Sequence, residues 1–486
     1  MKFTNLLVIS SDQHNKRYLG CYGNETIQTP NLDKLAAMGT TFSNAYTPSP
    51  ICMPARAALA TGRYLHDIEN WDNGTPYRGT EANSWGHRLR PQGHAAPTFG
   101  KLHFHPDGDS GYEEHLPLHA KSPESGYIGA IGSWLNEHQP SMGGLAQEIR
   151  RAEIGEFDYT RYDRATAAAA SKWLINREPN DKPWCAFVSF TYPHYPFCAP
   201  AEYVNLYDPA KIILPDGWQG ENWDMHPAIQ VKRNKMGIDA GFTEEEVRWV
   251  MSVYFGMISF LDAQVGKVLA ALEASPYAEN TRIIYSTDHG DMLAEHGMWF
   301  KGTMHEGSAG VPLILTGPDV PQGHVCKTPV NLVDVFPTAV ESVGAGYTGA
   351  DSTLPGKNLI TIANEPDQDR AVFSEYHALA KTSSTFMMRT MQYKLIEHIG
   401  YPPQLFDMLA DPEEMVDLAQ DSAYAETVGS LKAQMRQTFS PEAVGEKVSK
   451  TQKANIERLG GVEKTLEIIK NSPMRRPYTP APSEFR

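Results

Sequence analysis

Cys52 opens the run Cys52-Met53-Pro54-Ala55-Arg56, which continues as Ala57-Ala58-Leu59-Ala60-Thr61-Gly62-Arg63. Proline is tolerated in the first turn of a helix, where its missing N–H would be unpaired anyway. The run therefore predicts a helix with a thiol at its N-terminal mouth. Free N–H groups and the helix dipole favour an anion there and ease thiol ionisation. Arg56 adds a guanidinium fork, a shape that suits oxyanions. Taken alone, Cys52 also reads as a buried structural thiol, since free cysteine is often interior.

Two acidic blocks lie far from it in sequence, Asp12-Gln13-His14 and Asp288-His289-Gly290-Asp291. Hard divalent cations take carboxylate and amide oxygens and accept one imidazole. Asp291 reads better as a cap or supporting group than as a ligand. Cationic groups form a third set: Lys101 and His103 in Lys101-Leu102-His103, His194 in Tyr192-Pro193-His194-Tyr195-Pro196, and Lys301. An extended backbone would point Lys101 and His103 the same way. Singly, each acid reads as a loop cap and each cation as a solvated surface charge.

What would bring them together is a sheet. Leu6–Ile9, Trp184–Phe190, Arg282–Ser286 and Pro312–Leu315 are short apolar runs of the kind buried strands make. Helical patterns separate them at 31–38, 164–175 and 244–272. Thr243 with Glu246 has capping-box spacing before the longest of these. This alternation predicts an α/β fold, a large mostly parallel sheet sandwiched by helices. Asp12, His194 and Asp288 each follow a predicted strand, and ligands in such sheets bind beyond the strands' carboxyl ends. After a polar linker at 365–369, strands at 386–389, 393–399 and 404–407 and a helix at 425–438 predict a smaller α+β unit. The expected division is 1–364 for the catalytic α/β domain and 365–486 for a C-terminal subdomain with a polar tail from Ser472.

The run Cys-x-Pro-x-Arg followed by Leu-x-Thr-Gly-Arg resembles the signature of the type I sulfatases of the alkaline phosphatase superfamily. Met53 departs from the small residue usual there. The resemblance implies an alkaline phosphatase-like fold and hydrolysis of sulfate esters. It implies that Cys52 is converted to formylglycine by a formylglycine-generating enzyme, the hydrated aldehyde being the nucleophile. It implies one divalent ion held by Asp12, Gln13, Asp288 and His289. Arg56 would brace the nucleophile. Lys101, His103, His194 and Lys301 would bind sulfate oxygens and move protons, Lys301 or His194 protonating the leaving alcohol. Gln and His in the ligand set resemble the choline-sulfatase and phosphonate-monoester-hydrolase branch. That branch makes Asn73 a substrate contact and suggests Glu375, with an aromatic such as Trp71, as a site for a quaternary ammonium; read by themselves, Asn73 is also a turn asparagine and Glu375 a buried glutamate bonded to backbone at the domain junction. Phosphonate monoesters or phosphodiesters are the alternative substrates on the same machinery, and a chain with Cys52 unconverted would only bind anions.

The 486 residues exceed one ordinary core. A formal net charge of −15 disfavours nucleic acid and acidic membrane surfaces as partners. The five cysteines, Cys21, Cys52, Cys185, Cys198 and Cys326, have neither zinc-ribbon nor disulfide-framework spacing. The first apolar run is too short for a signal segment, and no other reads as a membrane span, so the expected location is the cytoplasm. Oxygen-rich ligation points to calcium or manganese, with magnesium also compatible. The tail's Arg475-Arg476-Pro477 reads either as disordered or as an arm gripping a neighbour, hence an expected homo-oligomer. Pro123 to Gly144, with Trp134, reads as a lid over the pocket.

Overall fold

The computed structural model describes residues 3–121, 123, 128–142, 144–178, 182–219, 224–381 and 383–471. The polar tail and residues 124–127 and 143 of the expected lid lie outside them. Strands Asn5–Ser11 (β1), Gly39–Phe42 (β2), Pro97–Lys101 (β3), Glu113–Leu118 (β4), Cys185–Ser189 (β5), Thr281–Thr287 (β6), Leu313–Thr316 (β7) and His324–Cys326 (β8) form one sheet. Its order is β8-β2-β7-β6-β1-β5-β3-β4. Among these strands β7 alone runs against the rest. The mostly parallel sheet expected from the sequence is therefore present.

β1, β5 and β6 are buried along their whole length, which is why they read as unbroken apolar runs. Alternation still sorts their side chains. Leu7, Ile9, Ile283 and Tyr285 face one layer, while Leu6, Val8 and Ile284 face the other. The first layer is made by helices Pro30–Ala37 (α1), Asp158–Asn176 (α3) and Glu244–Glu273 (α4). Helices Cys52–Thr61 (α2) and Val335–Val343 (α5) pack in the second.

The four strands not anticipated, β2, β3, β4 and β8, are short or carry polar residues, so no apolar run marks them. β4 alternates exposed and half-buried positions at the sheet edge. α3 starts at Asp158, six residues before the expected start at Arg164, because its first turns are polar. α4 corrects a second expectation: by length and hydropathy it could span a membrane. Here it is a core helix, with Val250, Met251, Tyr254, Ile258, Leu261 and Val265 all buried.

A second sheet follows, of Val372–Tyr376 (β9), Thr385–Arg389 (β10), Tyr393–His398 (β11) and Gln404–Asp407 (β12), antiparallel in chain order. Helices Ala425–Thr438 (α6), Pro441–Arg458 (α7) and Val462–Asn471 (α8) complete the described chain. Phe386, Met388, Leu395 and Leu405 join the same apolar cluster as α2 and α5. This small sheet therefore sits against the layer that carries Cys52. The division expected at 364/365 falls just after the helix Leu359–Asn364.

α4 does more than fill the core. Thr243 and Glu246 form the expected capping box, the Glu246 N–H donating to the Thr243 hydroxyl at 3.2 Å and the Thr243 N–H to the Glu246 carboxylate at 2.8 Å. Buried Asp262, in mid-helix, accepts from the backbone N–H groups of Asn31 at 3.2 Å and Leu32 at 2.9 Å, and from the Asn31 side chain at 2.7 Å. It thus caps α1, whose own Thr29 supplies no side-chain cap. Gly266, one turn on, allows the approach, since a Cβ there would stand 2.6 Å from the Asn31 carboxamide. Asp262→Ala leaves the buried Leu32 N–H and the half-buried Asn31 donors unpaired and is expected to lower stability by about 2–4 kcal/mol, read from the urea unfolding midpoint.

Candidate active site

The parallel strands release their polar followers at one sheet edge. β1 and β6 pair with Ser11 opposite Thr287, so Asp12 and Asp288 emerge side by side. His289 follows Asp288, Lys101 ends β3, and His194 sits in the loop after β5. α2 begins at Cys52 and points its N-terminus at the same edge, with Pro54 in its first turn as expected. The predicted helix and three of the four site-bearing strand ends are therefore as the sequence implied.

One ligand atom from each of Asp12, Cys52, Asp288 and His289 lies within 4.8 Å of the others, and all four residues are buried. The Cys52 Sγ is 3.2 Å from His289 Nε2 and 3.8 Å from Asp12 Oδ1. The Lys301 ammonium lies 3.0 Å from the sulfur and donates to Gln13 Oε1 at 2.7 Å. Gln13 is fixed in turn by Asp291, whose carboxylate accepts its Nε2 at 2.6 Å and also takes the backbone N–H groups of Leu293 and Phe300. Asp291 is thus a supporting group, as the sequence suggested. It turns the amide oxygen of Gln13 toward Lys301.

Arg56 locks the centre. Its Nε binds Asp288 at 2.8 Å and its Nη2 binds Asp12 at 3.0 Å. Nη1 donates to the Lys101 carbonyl and to Ser189 Oγ, both at 2.8 Å. Lys101 Nζ reaches Asp12 at 2.7 Å. Burial would raise the Asp12 carboxyl, but the charges of Lys101, Arg56 and Lys301 outweigh it and hold the group well below the usual range. Asp288 is pushed up to about 6 by burial and by the Asp12 charge beside it. Burial would lower Lys301, but Cys52, Asp12 and Asp288 raise it, so it stays charged.

The imidazoles stay neutral, and His289 and His194 have defined tautomers. His289 Nδ1 lies 2.9 Å from the Gly290 carbonyl and must donate to it, leaving the Nε2 lone pair facing the cluster. His194 Nδ1 donates to the Tyr195 carbonyl at 2.6 Å, leaving Nε2 as an acceptor 4.0 Å from Asp12 Oδ1. Burial, then the nearby lysine charges, keep His194 well below its ordinary value. Burial, Lys101 and Arg56 do the same to His103. His103 reaches the site differently from the expectation. The backbone does not continue extended through it but turns at φ 57°, with its N–H donating to the Leu118 carbonyl.

Above the cluster opens a cavity of about 700 Å³, lined by Cys52, Asn73, Lys101, His103, His194 and Lys301 among others. That volume suits a small-molecule ligand. Asn73 Oδ1 accepts the Met53 N–H at 3.2 Å, so this residue caps the first turn of α2 as well as lining the cavity. One expectation is corrected. Glu375 does not line the cavity: it is buried, 2.6 Å from His66 Nδ1 and 3.3 Å from His377 Nε2. Trp71 is also buried away from it, edge-on to His377. Trp134 does not face the cavity. Its indole N–H donates to Asp72 at 3.1 Å and anchors the helix Ile128–Leu135, whose first residues form part of the wall.

Some groups were not legible. Buried Asp163 on α3 accepts the N–H and hydroxyl of Thr191 and the N–H of Tyr192, and so sets the His194 loop. Ser189 steadies Arg56. Lys232 and Tyr376 line the same cavity. A lone aspartate, serine or lysine in a helix or strand carries no local signal for such roles.

A family model described as Sulfatase matches residues 4–345, and one described as N-sulphoglucosamine sulphohydrolase, C-terminal, matches 294–440. A choline-sulfatase of Rhizobium meliloti (strain 1021) is 32% identical over 432 residues, which is 86% of this chain and 82% of its own. Arylsulfatase K of Homo sapiens is 27% identical over 445 residues, 86% of this chain and 79% of its own. The phosphonate monoester hydrolase of Agrobacterium radiobacter shares the fold, with a TM-score of 0.73 at 24% identity, covering 89% of this chain and 95% of that one. With this fold and this edge of the sheet, the chain belongs to the sulfatase family of the alkaline phosphatase superfamily.

The Glu375 placement makes a prediction. Burial would raise its carboxyl, but His66 and His377 hold it down at about 2. A depressed carboxylate stabilises the fold fully above its unfolded value and loses that contribution as pH falls through its folded one. Glu375→Gln is expected to cost about 3 kcal/mol at pH 7, with the gap to the parent closing between about pH 4.5 and pH 2 in urea titrations. KM for a quaternary-ammonium sulfate ester should be the same in both proteins.

Proposed function

We propose that the protein hydrolyses sulfate monoesters in this cavity, after a formylglycine-generating enzyme has converted Cys52 and with one divalent cation held by Asp12, Gln13, Asp288 and His289. The observation that carries the reading is the convergence of the Cys52 sulfur, two carboxylates and the His289 imidazole within 4.8 Å, beneath a cation-lined cavity that Cys52 itself lines. The donor set is two carboxylates, an amide oxygen and an imidazole whose lone pair faces inward, which fits calcium or manganese, with magnesium compatible. The ion and the modified residue would together supply a polarising positive charge and an oxygen nucleophile. The Cys52 sulfur stands in for an oxygen on the same Cβ.

The chain's own groups divide the remaining work. Lys101, on β3, and Lys301 bring fixed positive charge to the place where sulfate oxygens gain negative charge. Arg56 is committed to Asp12 and Asp288 and fixes them rather than the ester. Lys301 Nζ holds a proton beside the sulfur, whereas the His194 Nε2 carries none, so Lys301 is the donor to the leaving alcohol and His194 an acceptor. Neutral His103 in the same cavity is a base for the return of the proton.

Lys301→Met is expected to slow an alkyl sulfate by about 10²–10³-fold. It should slow 4-nitrophenyl sulfate clearly less, because a good leaving group does not need the proton. Equal losses on both would remove Lys301 from that role. The function itself is tested by steady-state rates of the matured, metal-loaded protein on aryl sulfate and phenyl phosphonate. Sulfate turnover that dominates and disappears in Cys52→Ala is expected; dominant phosphonate turnover overturns the reading.

A further inference from the structure

The cavity wall holds a cation that the proposed hydrolysis does not use. Lys232, on the helix Pro227–Met236, lines the cavity yet is only 5% exposed. Its ammonium donates to the Tyr376 hydroxyl at 3.1 Å and to the Leu379 carbonyl at 3.2 Å, and lies 4.3 Å from the centre of the Tyr376 ring. All these partners are neutral. No carboxylate among the described residues pairs with it, and the neighbouring charge that acts on it is that of Lys235. A buried ammonium without a counter-charge is unfavourable. Burial, then Lys235, push this one down to about 7.

Its position relates it to the chemistry. A Cβ on Gly302 would stand 2.7 Å from the Lys232 ammonium and 2.6 Å from the Tyr376 hydroxyl. Gly302 directly follows Lys301, so the pair packs against the backbone that carries the proposed proton donor. Gly302 has φ 90°, and its missing side chain leaves room for the pair. Glu148 is the one acid among the cavity-lining residues, and it is spent on Arg151 at 2.5 Å.

We infer that Lys232 and Tyr376 form a subsite for a second anionic group, a carboxylate or a further sulfate, on the alcohol part of the substrate. The inference rests on the sulfate-ester reading above and narrows it to esters of acidic alcohols. The anion supplies the counter-charge that the fold withholds, while the Tyr376 hydroxyl, which donates its own proton to the Leu379 carbonyl at 2.7 Å, accepts from the ammonium and fixes its place. Quaternary-ammonium esters, by contrast, meet a wall with no free carboxylate among the described residues.

The test uses the matured holoenzyme and sulfated phenols bearing a carboxylate on the ring or through one or two methylenes. Each is compared with its methyl ester and with a trimethylammonium analogue. The parent is expected to prefer at least one carboxylate over its methyl ester in kcat/KM. Lys232→Met should cut that ratio by about tenfold or more, mainly through KM, while Lys232→Arg retains most of it. The ratio is taken within one protein, so a loss of folded fraction cancels. An unchanged ratio in Lys232→Met, or a preference for the methyl ester or the trimethylammonium compound, overturns the subsite. Should the parent turn over no sulfate ester, the hydrolase reading fails separately. Calorimetry of the desulfated phenol carboxylates against their methyl esters then decides the subsite without turnover: Lys232-dependent preference for the carboxylate supports it, and equal affinity in parent and Lys232→Met refutes it.

Discussion

Two carboxylates side by side in a buried place repel each other, and the site is organised around that repulsion. Neighbouring parallel strands in register deliver Asp12 and Asp288 to the same edge. Like charges at such range cannot both ionise freely without positive charge between them. Arg56 supplies it with one fork across both acids, and Lys101 adds a second contact to Asp12. Since Arg56 belongs to α2, the bond that steadies the acids also sets the orientation of the helix that opens with Cys52. The acids, the nucleophile position and the cation cluster are thus one electrostatic unit.

How much of this could be read from the chain depends on where the signal lies. The buried strands β1, β5 and β6 announce themselves, because both faces are covered and every position is apolar. The polar residues that follow them announce the sheet edge. β3 has no such run, so Lys101 is placed by resemblance alone and nothing local signals the turned backbone at His103. The Thr243 box and the α2 start were visible because capping and first-turn proline have local chemistry. The ammonium site at Glu375 fails for the opposite reason. Its neighbours in sequence do not reveal that His66, more than 300 residues earlier, takes its charge. Asp163, Asp262 and Lys232 act across the fold, and single charged residues within helices have no pattern to betray them.

The later part of the chain shapes the cavity rather than its floor. Tyr376 and Leu379 come from the small sheet and the turn after it, and Gln452 of α7 donates to Asp72 beside the Asn73 loop at 2.7 Å. The catalytic floor comes from the large sheet and α2. Such a division lets the alcohol specificity change through the wall while the charge arrangement around Arg56 stays fixed. It also explains why the family is legible from the first part of the chain and the substrate is not.

The most direct test of the account is a crystal structure of the protein purified from its own host, with anomalous data collected for the bound ion. The account predicts one divalent cation bonded by Asp12, Gln13, Asp288 and His289, with an oxygen-bearing formylglycine at position 52 facing it. An intact thiol with no ion between the two carboxylates, in protein that nevertheless turns over sulfate esters, would contradict it.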